Sequence, residues 1–206
     1  MAQVQSYSVG LKRAVELSLK IGVMPPGWPV RTKNISDKRL SMWLGHLESL
    51  YNDLMIQGFV KGHIFRLACV QMSTIACLIM NRHKQQSLLT FGTVERMGEP
   101  LFKVDQERII SELVAEKPTE GDIGIHAWVT VGNRIIDLTI RPYPLKDIWP
   151  SGAPRNFIHS QKTSDEDGDN FKYRPMLCGE HVTERLFRAN PSELDLLANL
   201  ALGHMP

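Results

Sequence analysis

The sequence predicts an α+β fold in a single domain covering 1–206. Three stretches carry that expectation. Residues 65–84, "FRLACVQMSTIACLIMNRHK", are apolar nearly all round, which is the pattern of a buried central helix. Residues 87–95, "SLLTFGTVE", have the composition of a strand. Residues 125–140, "IHAWVTVGNRIIDLTI", alternate in polarity on both sides of a Gly132-Asn133 pair, a β-hairpin signal.

The remaining elements follow in chain order. A weak amphipathic helix is expected over about 9–21, and the three prolines of "VMPPGWPVRT" make the next stretch a linker. "SDKRLSMWLGHLESLYNDLMIQGF" is a helix that Ser36 or Asp37 caps. Leu40, Trp43, Leu44, Leu47, Leu50, Tyr51 and Leu54 form its apolar face, and Gly58 and Gly62 punctuate its end. Residues 104–117 predict a helix with Ile109, Ile110, Leu113 and Val114 inward. Beyond the hairpin, "RPYPLKDIWPSGAPRNF" is irregular but packed, and "SDEDGDN" is a solvated turn rather than a calcium loop. Short helices near 178–189 and 191–202 close the chain, with Asn190 and Pro191 starting the second. The expected division is a helical N-terminal segment over 1–58, a core over 59–140, and an irregular and helical C-terminal extension over 141–206.

Composition narrows the function classes. Of 206 residues, 43% are hydrophobic, enough for a substantial core, and the net charge of +2 with no long basic run gives no support to nucleic-acid binding. No apolar run approaches a membrane span, and the first residues lack the order of a signal peptide. Cys69, Cys77 and Cys178 make an odd set without CxxC spacing, so a reducing cytoplasm is the expected setting. No nucleotide, P-loop, zinc-protease or serine-elbow motif is present, and no cofactor is expected.

The hairpin holds the strongest chemical signal. With a two-residue turn, Ala127 faces Leu138 and Val129 faces Ile136, giving one wholly apolar face. The other face carries His126, Trp128, Thr130, Ile135, Asp137 and Thr139. His126 and Asp137 are diagonal neighbours there, roughly 7–8 Å apart at the backbone. A carboxylate on one ring nitrogen orients an imidazole and stabilises its protonated form, and Trp128 is placed to shield the pair from water. Such a pair needs a nucleophile. Cys69, near the start of the central helix, is the candidate, because the helix dipole and free backbone N–H groups favour a thiolate there. Those N–H groups would also bind a developing oxyanion. Cys77 lies deeper in the same helix and reads as core, while Cys178 in "MLCGEHVTERL" is a rival with His181 beside it. The bland alternative is a structural His–Asp contact and a core cysteine. A zinc site from Cys69, His126 and Asp137 is a further alternative.

A helix-borne Cys69, then a strand, then His126 in "HAWVTV" and Asp137 in "IIDLT" resembles the transglutaminase-like superfamily of papain-like cysteine enzymes. The match covers roughly 60–140. The resemblance implies a Cys-bearing helix packed on an antiparallel sheet, and amide hydrolysis or acyl transfer by a Cys-His-Asp triad. Cys69 would be the nucleophile, His126 the general base and acid, and Asp137 its orienter, acting on a peptide or protein substrate. The position six before the cysteine, where papain-like enzymes carry an oxyanion glutamine, is His63 here; it either donates in that role or sits on the surface. His63 and Trp128 are thus the candidate substrate or oxyanion residues. The competing expectation is a protein-binding adaptor that keeps the fold without turnover.

Overall fold

A computed structural model describes residues 6–24, 32–56, 65–115, 123–140, 158–164 and 171–187. Five helices and six strands are spread along these segments: α1 (Tyr7–Lys20), α2 (Asp37–Ile56), α3 (Phe65–Arg82), β1 (Leu88–Arg96), β2 (Glu99–Phe102), α4 (Gln106–Val114), β3 (His126–Val131), β4 (Arg134–Asp137), β5 (His159–Lys162), β6 (Phe171–Cys178) and α5 (His181–Phe187). The fold is α+β, and the six strands of the described residues form an antiparallel sheet.

Strand β1 is the hub of the sheet. Along one edge it pairs with β6, from Thr90↔Cys178 to Arg96↔Phe171. Along the other it pairs first with β3, through Leu88↔Thr130 to Gly92↔His126, and then with β2. β4 and β5 extend the sheet beyond β3. The β3–β4 turn is the two-residue Gly132-Asn133 connection, since Val131 pairs with Arg134 and Val129 with Ile136. Gly132 takes a φ of +55 and Asn133 does not enter the left-handed region, the pattern of a type II′ turn with glycine first. A Cβ at Gly132 would also meet the Asn34 backbone at 2.5 Å, so glycine serves both the turn and the close passage of the loop before α2.

Apolar alternation puts two cores on the two faces of the sheet. On one face, α3 packs Val70, Met72, Ile75, Ala76, Ile79 and Met80 against Leu89, Phe91, Ala127, Val129, Val131, Ile136 and Leu138. Leu40, Trp43, Leu47, Leu50 and Tyr51 of α2 join this core, as their spacing predicts. Ser73 of α3 donates to the Ala127 carbonyl at 3.0 Å and pins the helix to β3. The other face curls around a second core of Tyr7, Val94, Phe102, Trp128, Ile135, Ile140, Phe171 and Tyr173. All six residues of β3 are therefore buried, where half-burial with one open face is the simpler alternative.

Several boundaries depart from the sequence reading. The C-terminal extension 141–206 is not simply irregular and helical: it supplies β5 and β6 to the sheet, and α1 packs along β6. Strand β2 is a further addition to the expected elements. Val114, expected inward, is 77% exposed, because α4 ends there and the chain turns extended at Ala115. The helix expected over 191–202, the proline-rich stretch 141–157 and the residues of "DEDGDN" lie outside the described residues. No helix among the described residues is long and apolar enough to cross a membrane.

Candidate active site

His126 opens β3 and Asp137 closes β4, so the hairpin register alone brings them to one face. The His126 Nε2–H donates to Asp137 Oδ2 at 2.7 Å. Both side chains are excluded from water, at 1% and 0% exposure, which makes this a fully desolvated pair.

Asp137 is saturated with donors. Its Oδ2 also accepts from the Tyr173 hydroxyl at 2.9 Å. Its Oδ1 accepts from the backbone N–H groups of Thr139 (2.9 Å) and Ile140 (3.1 Å), because the chain bends back immediately after β4. Burial alone would push this carboxyl up. The His126 charge and hydrogen bond, then the Thr139 N–H and the Tyr173 hydroxyl, outweigh burial and hold it below its usual range. For His126, burial alone would lower basicity. The Asp137 charge and hydrogen bond outweigh that, with Cys69 acting in the same direction, and the pKa rises to about 10. The two shifts agree: imidazolium and carboxylate stabilise each other.

Packing fixes the ring. Phe102 of β2 stacks on the imidazole with centroids 4.4 Å apart, and Trp128 flanks it at 6.3 Å. The Trp128 indole N–H donates to the Tyr7 hydroxyl at 2.8 Å, and that hydroxyl bonds Thr130 Oγ1. Trp128 is fully buried. It thus shields the pair as expected, but its single N–H is spent on Tyr7, so it is not an oxyanion donor.

The second ring nitrogen, Nδ1, is buried and has no hydrogen-bond partner among the described residues. Cys69 of α3, itself buried, raises the basicity of this imidazole through its side chain, so the thiol lies beside the His126 ring. Helix α3 starts at Phe65, which makes Cys69 its fifth residue rather than one of its first. Its backbone N–H is past the four that a helix start leaves open, so it reaches the Phe65 carbonyl instead of an oxyanion. His63 lies outside the described residues.

The other two cysteines are core. Cys77 and Cys178 are fully buried, against 7% exposure for Cys69. Burial pushes the Cys77 thiol up to about 12 and raises Cys178 as well. Cys178 ends a strand rather than starting a helix, and its expected neighbour His181 instead meets Glu184 at 2.9 Å. Among the described residues no three His, Cys, Asp or Glu side chains converge as metal ligands. Within the alternative zinc set, Asp137 already sits on the Nε2 of His126 as a hydrogen-bond partner.

Phe102 and Tyr173 escape the sequence reading. Phe171 and Tyr173 do show period-two spacing in "FKYRPMLC", but Pro175 breaks the strand signal. "EPLF" is too short to carry a pattern.

No protein-family model matches the chain, and no curated protein matches it. A solved crystal structure of a genomics target is similar over 79% of this chain and 78% of its own, with 18% identity and a TM-score of 0.50. That likeness concerns the fold, mixed helix and antiparallel sheet, and does not extend to chemistry.

Proposed function

We propose that the protein is a cysteine-dependent amide hydrolase or acyltransferase, with a papain-like, transglutaminase-like core, acting on a peptide or protein substrate. The observation that carries this reading is the buried His126–Asp137 pair, with Cys69 of α3 beside the same imidazole. The chain order of helix-borne cysteine, first strand, histidine strand and aspartate strand supports it.

In this reading each residue has one task. An imidazolium beside the thiol favours the thiolate, which attacks the amide carbonyl carbon. The C–N bond breaks as His126 Nδ1 hands its proton to the departing amine, leaving an acyl thioester on Cys69. Water or an acceptor amine then attacks the thioester while Nδ1 takes its proton, and the thiolate leaves. Asp137 keeps Nε2 protonated throughout, so the proton traffic is confined to Nδ1.

A non-catalytic binding module is the second reading, and one observation favours it. Among the described residues no side-chain oxyanion donor is identified: the Trp128 N–H is taken by Tyr7, and the Cys69 N–H lies within the helix. Iodoacetamide labelling across pH, with labelled cysteines mapped by mass, divides the two. The enzyme reading expects Cys69 to label fast well below pH 8, and His126→Gln to abolish that advantage. Cys69 labelling no faster than a free thiol would favour the binding module.

A further inference from the structure

We infer that Tyr173 is a positioning residue of this site: its hydroxyl sets the charge and orientation of the Asp137 carboxylate that His126 depends on. The inference rests on reading Cys69, His126 and Asp137 as a catalytic unit.

The donors to Asp137 come from two places in the chain. His126, Thr139 and Ile140 all belong to the β3–β4 hairpin or its exit. Tyr173 is the donor among the described residues that arrives from elsewhere, 36 residues on in sequence. It binds Oδ2, the same oxygen that accepts from His126, while both backbone donors take Oδ1. Tyr173 therefore competes directly for the charge that holds the imidazolium. A donor on a desolvated carboxylate is stronger than one in water, so the competition has a measurable effect.

The hydroxyl cannot wander. Val94↔Tyr173 pairing fixes the backbone. The ring meets Trp128 edge-on at 5.0 Å and lies parallel to His159, with 6.2 Å between centroids and 11° between planes. Among the described residues, the ionisable groups facing the pair are Cys69 from α3, His159 from β5 and Tyr173 from β6, with Tyr7 of α1 one step away behind Trp128. β1 and β2 contribute Thr90, Gly92 and Phe102, which do not titrate. Of these groups, Tyr173 alone donates its hydrogen bond to the shared oxygen together with His126.

Two variants test this, each retaining the ring. Tyr173→Phe removes the donor, and 3-fluorotyrosine incorporated at position 173 strengthens it by making the phenol more acidic. The first readout is the low-field proton resonance of His126 Nε2–H at neutral pH. It is expected to move to lower field in Tyr173→Phe, as Oδ2 regains charge, and to higher field with fluorotyrosine. The second readout is the Cys69 alkylation rate below pH 8, expected to rise up to about tenfold in Tyr173→Phe, as the imidazolium is held more firmly, and to fall with fluorotyrosine, the scale of one hydrogen bond to a charged group. A resonance unmoved in both variants, or one that moves with no change in alkylation rate, overturns the positioning role. Should wild-type Cys69 react no faster than a free thiol, the catalytic reading fails, and the resonance still decides whether Tyr173 controls the Asp137 charge.

Discussion

At the scale of single residues, the buried His126–Asp137 pair is costly to build. Two charges taken out of water are tolerated only with near-complete hydrogen bonding, and Asp137 accepts five hydrogen bonds, the fifth from the Thr139 hydroxyl. Removing one partner strands the other, a loss of roughly 3–5 kcal/mol. The pair also links stability to pH. Folded His126 keeps its proton up to about pH 10, whereas the unfolded chain loses it near 6.5. Its stabilisation is thus complete below about pH 6.5 and disappears as pH rises through 10. Asp137 is depressed from 3.8, so its contribution is present above about pH 4 and is lost on acidification through the lowered folded value. Urea unfolding of wild type and Asp137→Asn is therefore expected to differ most between about pH 4 and 6.5, with the gap narrowing toward pH 10. A gap independent of pH would contradict an ionised pair.

At the scale of elements, the hairpin is the most legible stretch of the chain. Period-two alternation and a Gly-Asn turn fix the register, and the register delivers His126 and Asp137 to one face with no further information. The central helix is legible for a similar reason: apolar residues on every side leave burial as its only option. The closure of the second face is not legible in the same way. Strand β6 contains Pro175, which ordinarily argues against a paired strand. Here Pro175 sits opposite Gly92 at a bulge, where the register shifts and the missing N–H costs nothing. Gly92 itself marks the tightest approach: an added Cβ would lie 2.0 Å from the Arg174 carbonyl and 2.9 Å from the Trp128 ring. Gly92→Ala is expected to cost about 2–3 kcal/mol, an overpacking penalty, and to disturb the Trp128 wall beside His126. Thermal unfolding and tryptophan fluorescence check this; a variant with unchanged stability and emission would mean that β1 and β6 separate freely at the bulge.

At the scale of the whole molecule, the site is assembled from four separate regions of the chain. Helix α3 brings Cys69, the hairpin brings His126 and Asp137, the short β2 brings Phe102, and β6 brings Tyr173. α1 adds Tyr7 from the other end, through the Trp128 N–H, and its Ser18 hydroxyl accepts from the Cys178 N–H at 2.8 Å. The division the sequence suggests, a core at 59–140 with extensions on either side, does not show this. The residues that keep water from the pair come from both ends of the chain as well as its middle. Sequence patterns report local periodicity, so they locate the chemistry-bearing residues but not the distant side chains that enclose them. The central claim, that Cys69, His126 and Asp137 work as one unit, is tested most directly by trapping an acyl-enzyme with an activated acyl ester and mapping the adduct by mass. A working triad predicts an acid-stable, hydroxylamine-sensitive thioester on Cys69, formed faster than on thiols of the unfolded chain, absent in Cys69→Ser and sharply reduced in His126→Gln. An adduct elsewhere, or one on Cys69 whose rate ignores His126, would contradict it.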